Sequence, residues 1–247
     1  MCLAAFGAGF VDAIAGGGGL IQVPVGLVLL RFVPVATVIG TLKFPAFCGT
    51  SLACLQYSKH VLWSSRRIFI FCLVAFCSAL AGSYALTCVS NSFVKPLVFV
   101  ILVFVAFFTF IKKNTTGVSK FSFSEKKSFS LALGLCLLVG FYDGFVGPGT
   151  GSFLLFGFIL ILGLDFLNAS AQAKFVNLAT NFASIIIFLL RGHVLFSLAL
   201  PMCFFNAMGG YLGARVAIKK GNHFVRLIFL MVVFGTLIRL AFDIVEK

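Results

Sequence analysis

Two aspartates and two lysines stand apart from the other charges of this 247-residue chain. Of its six acidic residues, Glu125, Asp165, Asp243 and Glu246 fall in a polar stretch, a turn or the C-terminal end, which leaves Asp12 and Asp143 inside long apolar runs. Of its nineteen basic residues, only Lys43 and Lys174 lie away from loops and segment ends. The four form two pairs separated by the same 131 residues, Asp12 mapping onto Asp143 and Lys43 onto Lys174. A charge at bilayer depth costs about 2.5–3.5 kcal/mol on the insertion scale, so each needs a partner or a hydrated cavity. On a functional reading the lysines form the positive wall of an anion site. The aspartates are then the coupling residues, since a carboxylate released from its lysine by an arriving anion takes up a proton. On a structural reading Asp12 and Asp143 pair with Lys43 and Lys174 to hold the helices together.

Glycines surround these charges. Gly9, Phe10, Asp12, Gly16 and Gly18 recur at the same offset as Gly140, Phe141, Asp143, Gly147 and Gly149, which marks an internal duplication. Each copy is an apolar run broken by glycine, and a membrane tolerates such a break only where protein or a water-filled cavity covers the backbone polar groups. Paired interruptions in two halves of a chain point to a secondary transporter's substrate site. Half-helices starting near Gly18 and Gly151 would offer free N–H donors and positive potential to an anion, and glycine lets the backbone approach it closely.

The candidate substrate-binding set is therefore Lys174, Lys43, Asn177, Asn181, Thr41, Gln172, Gly16, Gly18, Gly147, Gly149, Thr150 and Gly151. Ser170, Asn177 and Asn181 stand at −4, +3 and +7 from Lys174 and share its helical face. The first copy has Ala46 and Thr50 in the latter two places and is less polar. Polar residues that glue helices together are the competing explanation for this face.

Other chemistries find little support. The eight cysteines form no C-x-x-C pair and have no histidine at ligand spacing, so no metal and no cofactor is expected. No G-x-x-x-x-G-K-[ST] loop is present. His60 and His193 fall in equivalent short loops, where a membrane-surface histidine reads as incidental rather than catalytic.

The elements that must position these residues are set by composition. At 61% hydrophobic and 10% charged residues, with mean hydropathy +1.16, the chain has too little polar surface for a soluble globule of its size. The net charge of +13 lies between apolar runs, where Lys and Arg mark cytoplasmic loops rather than a nucleic-acid surface. The first basic residue is Arg31, so no cleaved signal peptide is expected.

Residues 1–14 and 20–30 read as half-helices, followed by segments 34–58, 68–94 and 96–111. After the polar stretch 112–128 the plan repeats, with a broken segment 129–164 and segments 168–190, 194–214 and 227–242. The loop at 59–67 is basic while its counterpart near 191–193 is not, and the weak Lys95 loop corresponds to the basic 215–226 stretch. Inverted repeats under the positive-inside rule require such an exchange. The expected fold is an all-α polytopic membrane protein of two homologous four-segment repeats, each with a glycine-broken first helix, inverted relative to each other. The expected domains are an N-terminal repeat 1–111, a polar cytoplasmic linker 112–128 and a C-terminal repeat 129–247, with both termini outside.

The chain also carries Gly-Phe-x-Asp-Ala-Ile-Ala-Gly-Gly-Gly-Gly at 9–19, Gly-Phe-Tyr-Asp-Gly-Phe-Val-Gly-Pro-Gly-Thr-Gly at 140–151, Lys-Phe-x-Asn at 174–177 and Gly-Tyr-Leu-Gly-Ala-Arg at 210–215. In these motifs it resembles the TauE/SafE family of sulfite and organosulfur anion exporters, over nearly its whole length. The resemblance implies a multi-pass permease of the cell inner membrane that moves sulfite, sulfonates or related small anions. Members commonly read Gly-Thr-Asn-Lys where this chain has Gly40-Thr41-Leu42-Lys43, so an amide is missing beside the first lysine.

The expected function is a secondary transporter of small anions, of exporter type and proton-coupled through Asp12 and Asp143. Its partners are a small anionic substrate and the bilayer, with no nucleic acid. An anion channel is the first alternative and an intramembrane enzyme the second, and the latter would need a nucleophile or metal cluster of which there is no trace.

Overall fold

A computed structural model describes residues 1–60, 65–90, 93–94 and 124–245, with side chains described up to Lys220. Among the described residues every regular element is a helix. The order is α1 (Cys2–Ala15), α2 (Gly18–Leu29), α3 (Val35–Tyr57), α4 (Ser65–Cys88), α5 (Glu125–Phe145), α6 (Thr150–Leu162), α7 (Phe166–Leu190) and α8 (Phe196–Val245). The expected segment 96–111, the Lys95 loop and the polar stretch before Ser124 lie outside the described residues. The end of that stretch, from Glu125, is already the first turn of α5.

Helices α3, α4, α5 and α7 are each long and apolar enough to cross a membrane. At about 1.5 Å per residue, the 14 residues of α1, 12 of α2 and 13 of α6 fall short of ~30 Å of hydrocarbon. Both expected breaks are present. Helix α1 stops at Gly16, which takes the left-handed conformation (φ 76°), and α5 gives way to a turn in which Gly147 and Gly149 have φ of 90° and 81°. These angles are readily reached only without a Cβ.

One expected boundary is corrected. Segments 194–214 and 227–242 were to be separated by a basic loop, but the backbone runs as one 50-residue helix, α8. The stretch between them holds Arg215, Lys219, Lys220 and Arg226 and lacks proline. These are strong helix formers, so charge there does not interrupt the helix.

The two copies are interleaved rather than set side by side. Helix α4 packs on α5 and α7, while α8 packs on α1 and α3. These are the same contacts shifted by the sequence offset. The glycines show the reciprocity most closely: a Cβ on Gly82 would overlap the carbonyl of Phe141, and a Cβ on Gly213 would overlap the carbonyl of Phe10. Gly82 maps onto Gly213, and Phe10 onto Phe141. Small residues at these crossings let the backbones approach, as apolar packing in lipid demands. Phe69, Leu138, Leu190 and Phe204 are exposed on the outer surfaces of α4, α5, α7 and α8, the arrangement expected where the surrounding solvent is lipid.

Candidate functional site

The breaks survive in an apolar setting because other helices complete their hydrogen bonds. The last carbonyls of a helix have no partner within it. At the end of α1 the carbonyl of Ala13 accepts from Tyr57 Oη on α3 (2.9 Å). That of Ile14 accepts from Ser170 Oγ on α7 (3.0 Å), and that of Ala15 from Ser152 Oγ on α6 (3.1 Å). At the end of α5 the Gly144 carbonyl accepts from Ser83 Oγ on α4 (3.1 Å). In the turn that follows, Tyr142 Oη donates to the Pro148 carbonyl (2.6 Å). Ser170 is thereby a cap for α1 rather than part of an anion-binding face.

The aspartates close the other side of each break. Asp12 Oδ1 accepts from the Gly18 N–H at the start of α2 (3.3 Å), and Asp143 Oδ1 accepts from Thr150 Oγ1 at the start of α6 (2.8 Å). A carboxylate there neutralises the positive end of the following half-helix. The remaining oxygen of each faces a lysine of the other copy. Lys174 Nζ donates to Asp12 Oδ2 at 2.7 Å, and Lys43 Nζ lies 3.0 Å from Asp143 Oδ2. Partners are thus exchanged relative to the pairing expected from sequence order, Asp12 with Lys174 and Asp143 with Lys43.

The two ion pairs are not equivalent. The Asp12 side chain is 20% exposed and is hydrogen-bonded by its lysine, which is 1% exposed. Lys43 directs its hydrogen bond to the Asp143 main-chain carbonyl (2.7 Å). Asp143 Oδ2 is left buried, close to a positive charge but without a hydrogen bond.

A cavity opens between the breaks. Of the expected residues, Asp12, Gly16, Gly18, Lys43, Asp143, Gly147, Thr150, Gly151, Asn177 and Asn181 line it. Lys174, Thr41, Gln172 and Gly149 do not. Lys174 is buried behind Asp12. Thr41 is engaged in structure, donating to the Thr37 carbonyl (2.6 Å) and accepting from the Leu195 N–H (3.0 Å). Where the breaks cross, a Cβ on Gly16 or Gly151 would collide with the other's backbone.

Two polar lining residues escape the sequence reading, Gln22 on α2 and Asn206 on α8. Both are buried, and Asn206 Nδ2 donates to Gln22 Oε1 (3.2 Å). The available signal was an amide in an otherwise apolar run. The duplication puts Phe153 and Ala75 in the corresponding places, so an argument built on repeated pairs passes over them. Asn181 Nδ2 likewise donates to Asn177 Oδ1 (3.2 Å). The cavity is lined by amides and charges whose formal sum, with Lys174 included, is zero.

Among the described residues no cluster of His, Cys, Asp and Glu could hold a metal ion. Residues 1–240 match the family model described as Sulfite exporter TauE/SafE. The chain is 33% identical over 241 residues to "Probable membrane transporter protein ORF9" of a Sinorhizobium species, covering 98% of this chain and 91% of the relative. It is 33% identical over 241 residues to a "Probable membrane transporter protein" of Haemophilus influenzae, covering 96% and 92%. To YfcA of Escherichia coli K12, also described as a probable membrane transporter, it is 29% identical over 222 residues, covering 89% and 80%. No solved structure matches the chain significantly.

Proposed function

This chain belongs to the sulfite exporter TauE/SafE family of membrane transporters, and from that premise we propose that it is a secondary exporter of sulfite, sulfonates or similar small anions across the cell inner membrane, coupled to protons. The observation that carries the reading is the cavity lined at once by both glycine breaks, both aspartates and Lys43. Lys43 supplies the cation and the α2 and α6 N-termini supply donors. Gly16, Gly18, Gly147 and Gly151 bring the backbone of both breaks to the cavity wall, and Asn177 and Asn181 add polar contacts.

Coupling follows from charge balance. An anion arriving at Lys43 competes with Asp143 Oδ2, which already lacks a hydrogen bond. Once displaced, that carboxylate takes up a proton, and the site returns to its former net charge. Asp12, exposed to the same cavity yet hydrogen-bonded to Lys174, is the second carboxylate through which a proton passes. The buried Lys174 serves by holding Asp12.

The test is transport by the purified protein in proteoliposomes, with equal sulfite on both sides and the membrane potential clamped. A pH gradient should drive net sulfite accumulation on one side. Flux that dissipates gradients and never accumulates anion identifies a channel, and sulfite movement no faster than in empty liposomes overturns the assignment.

A further inference from the structure

The orphaned donor in this cavity belongs to a residue outside the duplicated pattern. Gln22 is 4% exposed, lines the cavity, and its Nε2 has no hydrogen-bond partner. A buried amide N–H₂ without an acceptor costs about 1–3 kcal/mol, and a ligand oxygen in the cavity would remove that penalty. The side chain's orientation is set by its neighbour. Asn206 Nδ2 donates to Gln22 Oε1, so the oxygen end is occupied and the N–H₂ end is the one left for a ligand. Gln22 lies one helical turn past Gly18, on the half-helix whose N-terminus Asp12 caps, and so its donor shares a helical face with that N-terminus.

We propose that Gln22, held by Asn206, is the specificity-determining donor of the site, selecting anions that carry oxygen acceptors over spherical anions of the same charge. This rests on the reading of the cavity as an anion site. Lys43 attracts any anion, oxyanion or halide, and has no preference for oxygen acceptors. A second donor set apart from Lys43 distinguishes the two, because an oxyanion offers separate oxygens to Lys43 and to Gln22 whereas a single spherical ion engaged by Lys43 leaves the buried donor without its own acceptor. Asn206 acts through Gln22 as a positioning residue.

The experiment measures sulfite, sulfate and chloride binding to the purified full-length protein for wild type, Gln22→Met, Asn206→Leu and the double variant, with thermal unfolding as a control of folding. Gln22→Met keeps the length and burial of the side chain while deleting the donor. Its affinity for the oxyanion that wild type binds best should fall about 10-fold or more, as for loss of a hydrogen bond to a charged group, with chloride affinity little changed. Asn206→Leu should lose a smaller factor, because Gln22 keeps its donor but no longer has one orientation. The double variant should then be no worse than Gln22→Met alone, the non-additivity expected of residues acting as a unit. If a folded Gln22→Met variant keeps the wild-type ratio of oxyanion to chloride affinity, the proposal is wrong. If the two substitutions multiply independently, the positioning role of Asn206 is wrong. Wild type that binds none of the three anions removes the anion site itself, and the proposal with it.

Discussion

Replacing Lys43 with Gln would strip the buried Asp143 carboxylate of its cation, and breaking a buried pair from one side costs about 3–5 kcal/mol. A single substitution therefore mixes folding with binding, and the paired variants separate them. Lys43→Gln with Asp143→Asn leaves two neutral groups able to hydrogen-bond each other, so it should insert normally but lose anion affinity by about 30-fold or more, as for a site charge worth ~2–5 kcal/mol. Lys174→Gln with Asp12→Asn should insert and retain affinity near wild type, because Lys174 does not line the cavity. Binding and thermal unfolding of the two double variants make the check, and wild-type affinity in the first would reduce Lys43 to a structural cation. The four charges were legible in the sequence because they are the ones embedded in apolar runs at a common offset. Their exchange of partners was not, since an offset says which residues correspond and is silent on which copy each one touches. The polar neighbours on the helical face of Lys174, Asn177 and Asn181, do line the cavity while the lysine itself turns to Asp12.

A broken helix in an apolar medium is only as stable as the donors that reach its open carbonyls. Tyr57→Phe removes one such donor and leaves the Ala13 carbonyl bare in a place where Tyr57 is fully buried, so stability should drop by about 1–3 kcal/mol, read as a lower unfolding midpoint in detergent. An unchanged midpoint would mean that water reaches that carbonyl. The crossing of the breaks offers a harsher test. Gly151→Ala pushes a methyl into the Gly16 backbone, which has no side chain that could yield, so the half-helices must separate and both folding and transport should fail. Gly134→Ala on α5 meets nothing within 4 Å and should be neutral or slightly stabilising, since alanine has less freedom to lose on folding. Equal effects of the two substitutions, measured as yield and unfolding midpoint, would show that helix propensity rather than backbone approach governs these glycines. The breaks themselves were legible, because glycine clusters within apolar runs leave few alternatives. The hydroxyls of Tyr57, Ser152 and Ser170 were not, being 44, 137 and 156 residues from the carbonyls they satisfy. The continuity of α8 is not legible, because a run of charge reads as a loop although Arg and Lys also favour helix.

At the scale of the whole molecule, the reciprocal packing of α4 on α5 and α8 on α1 means that neither copy completes its own broken helix. Each supplies the neighbour, and the lysine, that the other needs. Such mutual exchange is what a two-fold relation between similar units produces, and it holds whether the axis lies in the membrane plane or along its normal. The direction rests on charge. The basic loop after α3, with Lys59 and His60, corresponds to the turn after α7, where Arg191 is the one Lys or Arg. If α1 with α2, and α5 with α6, each dip in and return on one side, and if the expected segment 96–111 crosses, a count of crossings puts those two turns on opposite faces, with the basic one inside as the positive-inside rule requires. Lys59 and Arg191 are both exposed at helix ends, which suits them to labelling. In a background whose eight native cysteines are replaced and which still transports, Lys59→Cys should react with a membrane-impermeant thiol reagent only after the cytoplasmic face is opened, and Arg191→Cys should react in intact cells. Labelling of both from the same face would make the repeats parallel. The N-termini of α2 and α6 would then reach the cavity from one side of the membrane instead of two, and alternating access by rocking one inverted repeat against the other would lose its geometric basis.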